Sequence, residues 1–90
     1  TDLMAFEAIS VAVDLGLSVP DDIAIVGYDN TMFCDFAQNS LTSVDQSGEL
    51  LGLQAARLVV ERIDGRSAAD HFTVPPRIVA RNSSRPRKPI

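Results

Sequence analysis

Asp21-Asp22-Ile23-Ala24-Ile25-Val26-Gly27-Tyr28-Asp29-Asn30 is the stretch from which the fold is read. Ile23 to Val26 are four consecutive apolar residues, not an alternation, and a short apolar run between turn signals suits a strand buried on both faces of a parallel sheet. Pro20, Asp21 and Asp22 open the run; Gly27, Tyr28, Asp29 and Asn30 close it. Ligands of open α/β sheets bind in the crevice beyond the carboxyl ends of the strands. Asp29 is therefore the first candidate functional residue, against the alternative that Asp-Asn after a strand is ordinary turn chemistry.

On the N-terminal side, Thr1 or Asp2 can cap a helix running to Leu15, with Gly16 as its left-handed terminator and Val19-Pro20 preventing its return. Ala5, Ala8, Ile9, Ala12 and Leu15 form one face, small enough for close approach to a sheet. Glu7, Ser10 and Asp14 form the polar stripe. Leu3, Phe6 and Val13 lie away from the core face, which predicts a partner surface in preference to scattered surface apolars.

On the C-terminal side, Met32, Phe33, Cys34 and Phe36 are too apolar for a free loop. Phe33 and Phe36 are spaced as on one helical turn, predicting a short helix against the first helix or a partner chain. Leu41 to Val44 read as a second strand, followed by Asp45, Gln46 and Ser47 as polar exit and cap. A helix is predicted from about Gly48 to Asp64, with Leu51, Ala55, Leu58, Val59 and Ile63 as its buried face, an Arg57–Glu61 pair on the exposed strip, and Gly65 as terminator. His71 to Val74 and Arg77 to Arg81 read as short strands. Pro75-Pro76 between them excludes a tight two-residue hairpin, so the chain must cross over.

Ninety residues with 46% apolar content suffice for one small unit, yet a doubly covered α/β sheet usually takes more chain. Together with a start at Thr1 inside a helix cap, this leads us to expect a piece of a longer protein. No apolar stretch is long enough to span a membrane. The formal charge is −4, but five of the eight basic residues follow Pro76. The first 76 residues carry three basic against twelve acidic groups, a surface that repels phosphate backbones. Ser83 to Ile90 read as a solvated, Pro-rich basic tail. The single cysteine, Cys34, excludes an internal disulfide and favours a cytoplasmic origin. Asp21 and Asp22 read as a solvated pair at a strand entry, His71 as a structural imidazole, and neither a nucleophile with its base, nor a metal-ligand cluster, nor a phosphate loop is present, so no catalytic residue, metal or cofactor is expected.

Six pieces occur in a particular order: Thr1-Asp2-Leu3-Met4-Ala5; Leu15-Gly16 with Val19-Pro20-Asp21-Asp22-Ile23; Val26-Gly27-Tyr28-Asp29-Asn30; Leu41-Thr42-Ser43-Val44 with Gln46; Leu51-Gly52 with Ala55-Ala56; and Val79-Ala80-Arg81-Asn82-Ser83-Ser84. In this order the chain, to about Ser84, resembles the C-terminal part of LacI/GalR-family transcriptional regulators. The resemblance implies an α/β fold, a fragment of a two-lobed, periplasmic-binding-protein-like (type I) effector domain with parallel-sheet, Rossmann-like lobes. Residues 1–45 would belong to the C-lobe, 46–76 to the N-lobe and 77–84 to the return into the C-lobe, leaving 85–90 as a tail. The function implied is effector sensing and dimerisation in a regulator, usually a repressor, that holds a small molecule such as a sugar or nucleobase between its lobes and reaches operator DNA through a headpiece that this chain does not contain.

The ligand contacts implied by the resemblance fall on Asp29, Gln46, Thr1 and Gly48. The family commonly has asparagine where Thr1 stands, and some sugar-responsive members have an aromatic where Gly48 stands. Threonine cannot repeat an amide's donor–acceptor pair, and glycine removes a stacking surface. Asn39-Ser40 departs from the usual proline before Leu41. A homodimer interface is implied through Leu3, Phe6, Ser10 and Val13 of the first helix and Cys34, Asp35 and Phe36 after the Gly-Tyr-Asp strand. Two other readings remain open: a periplasmic sugar-binding protein of a transporter, which shares the lobe fold, and a small α/β enzyme.

Overall fold

The computed structural model describes residues 1–36 and 40–85. Its elements are α1 (Asp2–Asp14), β1 (Val26–Tyr28), a 3-10 turn (Met32–Asp35), β2 (Thr42–Asp45), α2 (Gly48–Ile63), β3 (Arg77–Val79) and a second 3-10 turn (Asn82–Ser84). The Asn39 departure and most of the tail lie outside the described residues. The strands form one mixed sheet in the order β1-β2-β3. β1 and β2 are parallel, with Gly27 opposite Ser43, and β3 is antiparallel to β2, with Ile78 opposite Val44.

Both helices end where local chemistry directs. The Thr1 hydroxyl accepts from the Met4 amide at 3.3 Å, capping α1. Gly16 (φ 81°) and Gly65 (φ 118°) adopt the left-handed conformation beyond α1 and α2 that a side chain would resist. The cap of α2 is different: Ser47 is itself left-handed (φ 57°), and its amide is held by the Asp45 carboxylate at 2.7 Å.

The core is small and sits where α1 crosses the sheet. Ala5, Cys34 and Leu41 are its buried members, with Phe6, Ile9 and Ile25 packed against them. Asp2 is also buried, at 2% exposure. Gly27 faces it so closely that a Cβ there would collide with Asp2 Oδ1 and lie 2.9 Å from Leu41 Cδ2. Of the predicted α1 face, Ala5 and Ala12 are buried and Ile9 partly so, while Ala8 and Leu15 are exposed.

Several expectations are corrected. The central run is not covered on both faces: Ile23 and Val26 are exposed, because α1 is the one layer this chain lays against β1, and only residues 26–28 are laddered. α2 buries none of its residues; Leu51, Val59 and Ile63, assigned to a buried face, are open, since α2 makes no extensive contact with another element. His71 to Val74 form no strand, having no partner. Finally, Ser83 is not the start of a solvated tail. It is fully buried, its hydroxyl donating to Ile25 O at 2.6 Å and accepting from Thr42 N at 2.8 Å, which ties the C-terminal turn to β2 and to the residue that leads into β1. The predicted Arg57–Glu61 pair is present at 2.7 Å.

Candidate functional site

The parallel pairing of β1 and β2 brings their carboxyl ends side by side. Asp29 immediately follows β1 and continues its ladder, its amide donating to Val44 O at 2.9 Å. Gln46 immediately follows β2, and its Nε2 donates to Asp29 Oδ1 at 2.5 Å. Asp29 (φ 118°) and Asn30 (φ 56°) are consecutive residues in the left-handed region, where strain on the order of 1–3 kcal/mol per residue persists only when the surroundings enforce it. They are enforced here: the Asn30 amide donates to Ser43 Oγ at 2.9 Å, and its side-chain amide to Asp45 Oδ2 at 3.2 Å.

Asp45, expected from the sequence as part of a polar strand exit and helix cap, is a junction. Its carboxylate accepts from the Ser47 amide and from Asn30, and it lies 3.6 Å from the Arg77 guanidinium. The Ser47 amide and then the Asn30 side chain hold its pKa below the ordinary carboxylate value, with Arg77 adding to them against partial desolvation. The ends of β1, β2 and β3 and the start of α2 thus converge on one anion. Beside it an open hollow of about 440 Å³ is lined by Asp45, Ser47, Gly48, Glu49, Leu50 and Leu53. Gly48 leaves room in it: a Cβ there would meet no atom within 4 Å.

The four ligand candidates are therefore distributed as follows. Asp29 and Gln46 are bonded to one another, with Asp29 Oδ2, Gln46 Oε1 and one amide N–H uncommitted to that bond. Gly48 lines the adjoining hollow. Thr1 is exposed at the start of α1, and its hydroxyl serves the α1 cap.

Next to Thr1 lies the feature that the sequence concealed. Asp2 turns inward: Oδ1 accepts from the Ser43 hydroxyl at 2.5 Å, and Oδ2 from the Thr31 amide at 2.7 Å and the Cys34 thiol at 3.2 Å. Burial works to raise the pKa of this carboxyl, but the Ser43, Thr31 and Cys34 donors outweigh it and hold the value below the ordinary one. The Cys34 thiol is pushed up, by burial first and then by Asp2. A cap-forming residue type at a helix start gives no sign of this role.

Of the residues assigned to a partner surface, Leu3 (73% exposed), Val13 and Phe36 are open to solvent, as are Ser10 and Asp35, and Phe6 is partly covered. An apolar hollow of about 410 Å³ is lined by Leu3, Phe6, Thr31 and Phe33. Cys34 is the exception and a correction: at 0% exposure its side chain points into the core, drawn there by Asp2 and Leu41.

A family model for the periplasmic-binding-protein-like domain matches residues 1–84. The HTH-type transcriptional repressor PurR of Proteus mirabilis (strain HI4320) is 45% identical over 83 residues, covering 91% of this chain and 24% of that protein. This chain belongs to the LacI/GalR family. Among solved structures, the transcriptional regulator CelR–cellobiose complex is similar with a TM-score of 0.89 and 36% identity, over 93% of this chain and 26% of that one. The lac repressor dimer bound to operator and the anti-inducer ONPF is similar with a TM-score of 0.84 and 28% identity, over 93% of this chain and 29% of that one. The chain spans about a fifth to a quarter of the length of the curated relatives it matches. These relatives are transcriptional regulators, so neither the transport-receptor nor the enzyme alternative is favoured. Among the described residues no helix is long and apolar enough to cross a membrane, and no cluster of His, Cys, Asp and Glu has metal-site geometry.

Proposed function

We propose that this chain is the effector-sensing and dimerising part of a LacI-type transcriptional regulator, usually a repressor, acting in the cytoplasm on operator DNA through a separate headpiece. The observation that carries the reading is the Asp29–Gln46 pair, two polar side chains 17 residues apart that meet at the carboxyl ends of adjacent parallel strands. Asp29 supplies carboxylate oxygens to ligand hydroxyl or ring N–H groups, and Gln46 supplies both an acceptor and a donor. Thr1 and Gly48 complete the set, and the open volume beside Gly48 sets the size of what is accepted. A sugar or a nucleobase fits this chemistry, and the cellobiose of the CelR complex supports the sugar class.

In this reading residues 1–45 belong to one lobe, 46–76 to the other and 77–84 to the return, with 85–90 as a tail. Support comes from α2, which stands off the sheet, and from an overall extent of 61 × 26 × 19 Å. The effector then lies where the chain passes between lobes and shifts operator affinity by binding one lobe arrangement better than the other. Homodimerisation uses the apolar strip of Leu3, Phe6 and Val13 with Phe36, a reading supported by its exposure and by the dimeric state of the similar lac repressor.

The test is fluorescence anisotropy of the intact protein on its upstream DNA, titrated with cellobiose and, separately, with purine nucleobases. The expected result is sequence-specific binding that one of these ligands shifts. Absence of sequence-specific DNA binding under every condition overturns the regulator reading.

A further inference from the structure

We propose that Arg81 is a positioning residue for the dimer face, holding the Met32–Asp35 turn in the orientation that presents Phe33 and Phe36. The proposal rests on the dimer reading above. Arg81 follows β3, 46 residues after Asp35, yet its Nε donates to Asp35 Oδ1 at 2.8 Å and its Nη1 to Leu41 O at 2.8 Å. Its own backbone is fixed to β2: the Arg81 amide donates to Thr42 Oγ1 at 2.7 Å, and that hydroxyl lies 3.1 Å from Arg81 O. Both ends of the side chain are therefore tied down, and the planar guanidinium transmits direction as well as charge.

The pair is asymmetric. The Arg81 side chain is 12% exposed and its partner Asp35 71% exposed, so the cation belongs to the body of the protein and the anion to the surface segment. Within that segment Cys34 is drawn inward by Asp2 at 3.2 Å and by the Leu41 amide, which donates to Cys34 O at 3.0 Å. Adjacent residues are thus pulled in opposite senses, Cys34 into the core and Asp35 onto Arg81. That combination fixes the roll of the Met32–Asp35 turn, and with it the outward aim of Phe33 and Phe36, both largely exposed. Releasing the Asp35 anchor leaves the turn free to roll about Cys34 and removes Phe33 from the wall of the apolar hollow that it shares with Leu3 and Phe6.

The experiment measures the dimer dissociation constant of the intact protein by sedimentation equilibrium, well below the melting temperature. Arg81→Ala is expected to raise it about tenfold, the effect of losing one charge-assisted hydrogen bond that orders the face. Arg81→Lys, which keeps the charge but not the planar fork that fixes the direction of both hydrogen bonds, is expected to fall between, and it carries the test if the alanine variant fails to fold. Ser83→Ala controls for stability alone: it breaks a buried link in the same C-terminal turn without touching Asp35 and is expected to lower the melting temperature while leaving dimerisation unchanged. Asp35→Ala combined with Arg81→Ala is expected to be no worse than the more severe single variant, because Arg81 acts through Asp35. Unchanged dimerisation in Arg81→Ala or Arg81→Lys, additive effects with Asp35→Ala, or an equal loss in Ser83→Ala overturns the proposal while the dimer reading stands. A monomeric wild type overturns both.

Discussion

Replacing Asp2 probes a buried charge that joins α1 to the sheet. In Asp2→Ala, the Thr31 amide, the Ser43 hydroxyl and the Cys34 thiol lose their acceptor in a site that is 2% exposed. Hydrogen bonds to a charged group contribute about 1.5–3 kcal/mol each, so losing the two strong ones costs about 3–6 kcal/mol. Asp2→Asn is the more diagnostic change. Its carboxamide oxygen can still take the Thr31 amide, but its NH2 then faces the Ser43 oxygen, which already accepts from Asn30, and the Ser43 hydroxyl proton is left without a partner. The expected cost is about 1–2 kcal/mol at pH 7. Because the folded pKa of Asp2 lies below its unfolded value of roughly 3.9, its contribution is fully present above that value and is lost as pH falls through the folded pKa. Urea unfolding of the intact protein from pH 7 down to the acid limit should therefore show the gap between wild type and Asp2→Asn narrowing below about pH 4. A variant as stable as wild type at pH 7, or a gap that widens in acid, refutes the argument.

Gly27→Ala forces a Cβ against Asp2 and Leu41 and should cost about 1–3 kcal/mol, read as a lower melting temperature. Asp29→Asn removes a charged acceptor from an exposed position, so effector affinity measured by calorimetry should fall tenfold or more while the melting temperature stays within a few degrees. Leu3→Glu, at an exposed site on α1, should change stability by less than about 0.5 kcal/mol yet weaken the dimer in sedimentation equilibrium, since burying an unpaired carboxylate opposes association. Arg57→Ala breaks a half-exposed pair with Glu61 and should shift stability by no more than about 0.5 kcal/mol, less at high salt.

What could be read directly from the chain was local. A cap at Thr1 or Asp2, Gly16 and Gly65 as terminators, the extent of both helices and the Arg57–Glu61 pair depend on residues within a turn of each other; the structure places the cap on Thr1 and agrees with the rest. What escaped depends on partners far along the chain. Asp2 has the residue type of a cap, and only the absence of a Cβ at Gly27 and the approach of Ser43 make it a buried hub. Ser83 has the composition of a tail, and its anchoring role arises because the C-terminal turn comes back to Ile25 and Thr42. Val74 and its neighbours carry β-branched character but meet no strand, so propensity alone did not produce one. For the candidate site, the order of motifs singles out Asp29 and Gln46, whereas the convergence of Asn30, Ser47 and Arg77 on Asp45 has no sequence signal beyond a polar run at a helix start.

The exposed side of α2 follows from the same arithmetic. A folded protein of 9.7 kDa is expected to present roughly 5,100 Å² of accessible surface, and this chain presents 6,705 Å². Among the large apolar side chains that stand open are Leu53, Val59, Val60 and Ile63 on α2, and Ile78 on the outer strand. A helix with that composition is not stable in water for its own sake, since helical stability in proteins comes from packing of an apolar face. Stability of such a helix requires another apolar surface to cover it. The chain on its own is therefore expected to self-associate, with sedimentation velocity showing species larger than 9.7 kDa that shrink when Val59 and Ile63 are changed to lysine. A stable, cooperatively folded monomer at high concentration would mean that α2 folds back onto the sheet in solution, and the assignment of residues 46–76 to a second lobe would then lose its main support.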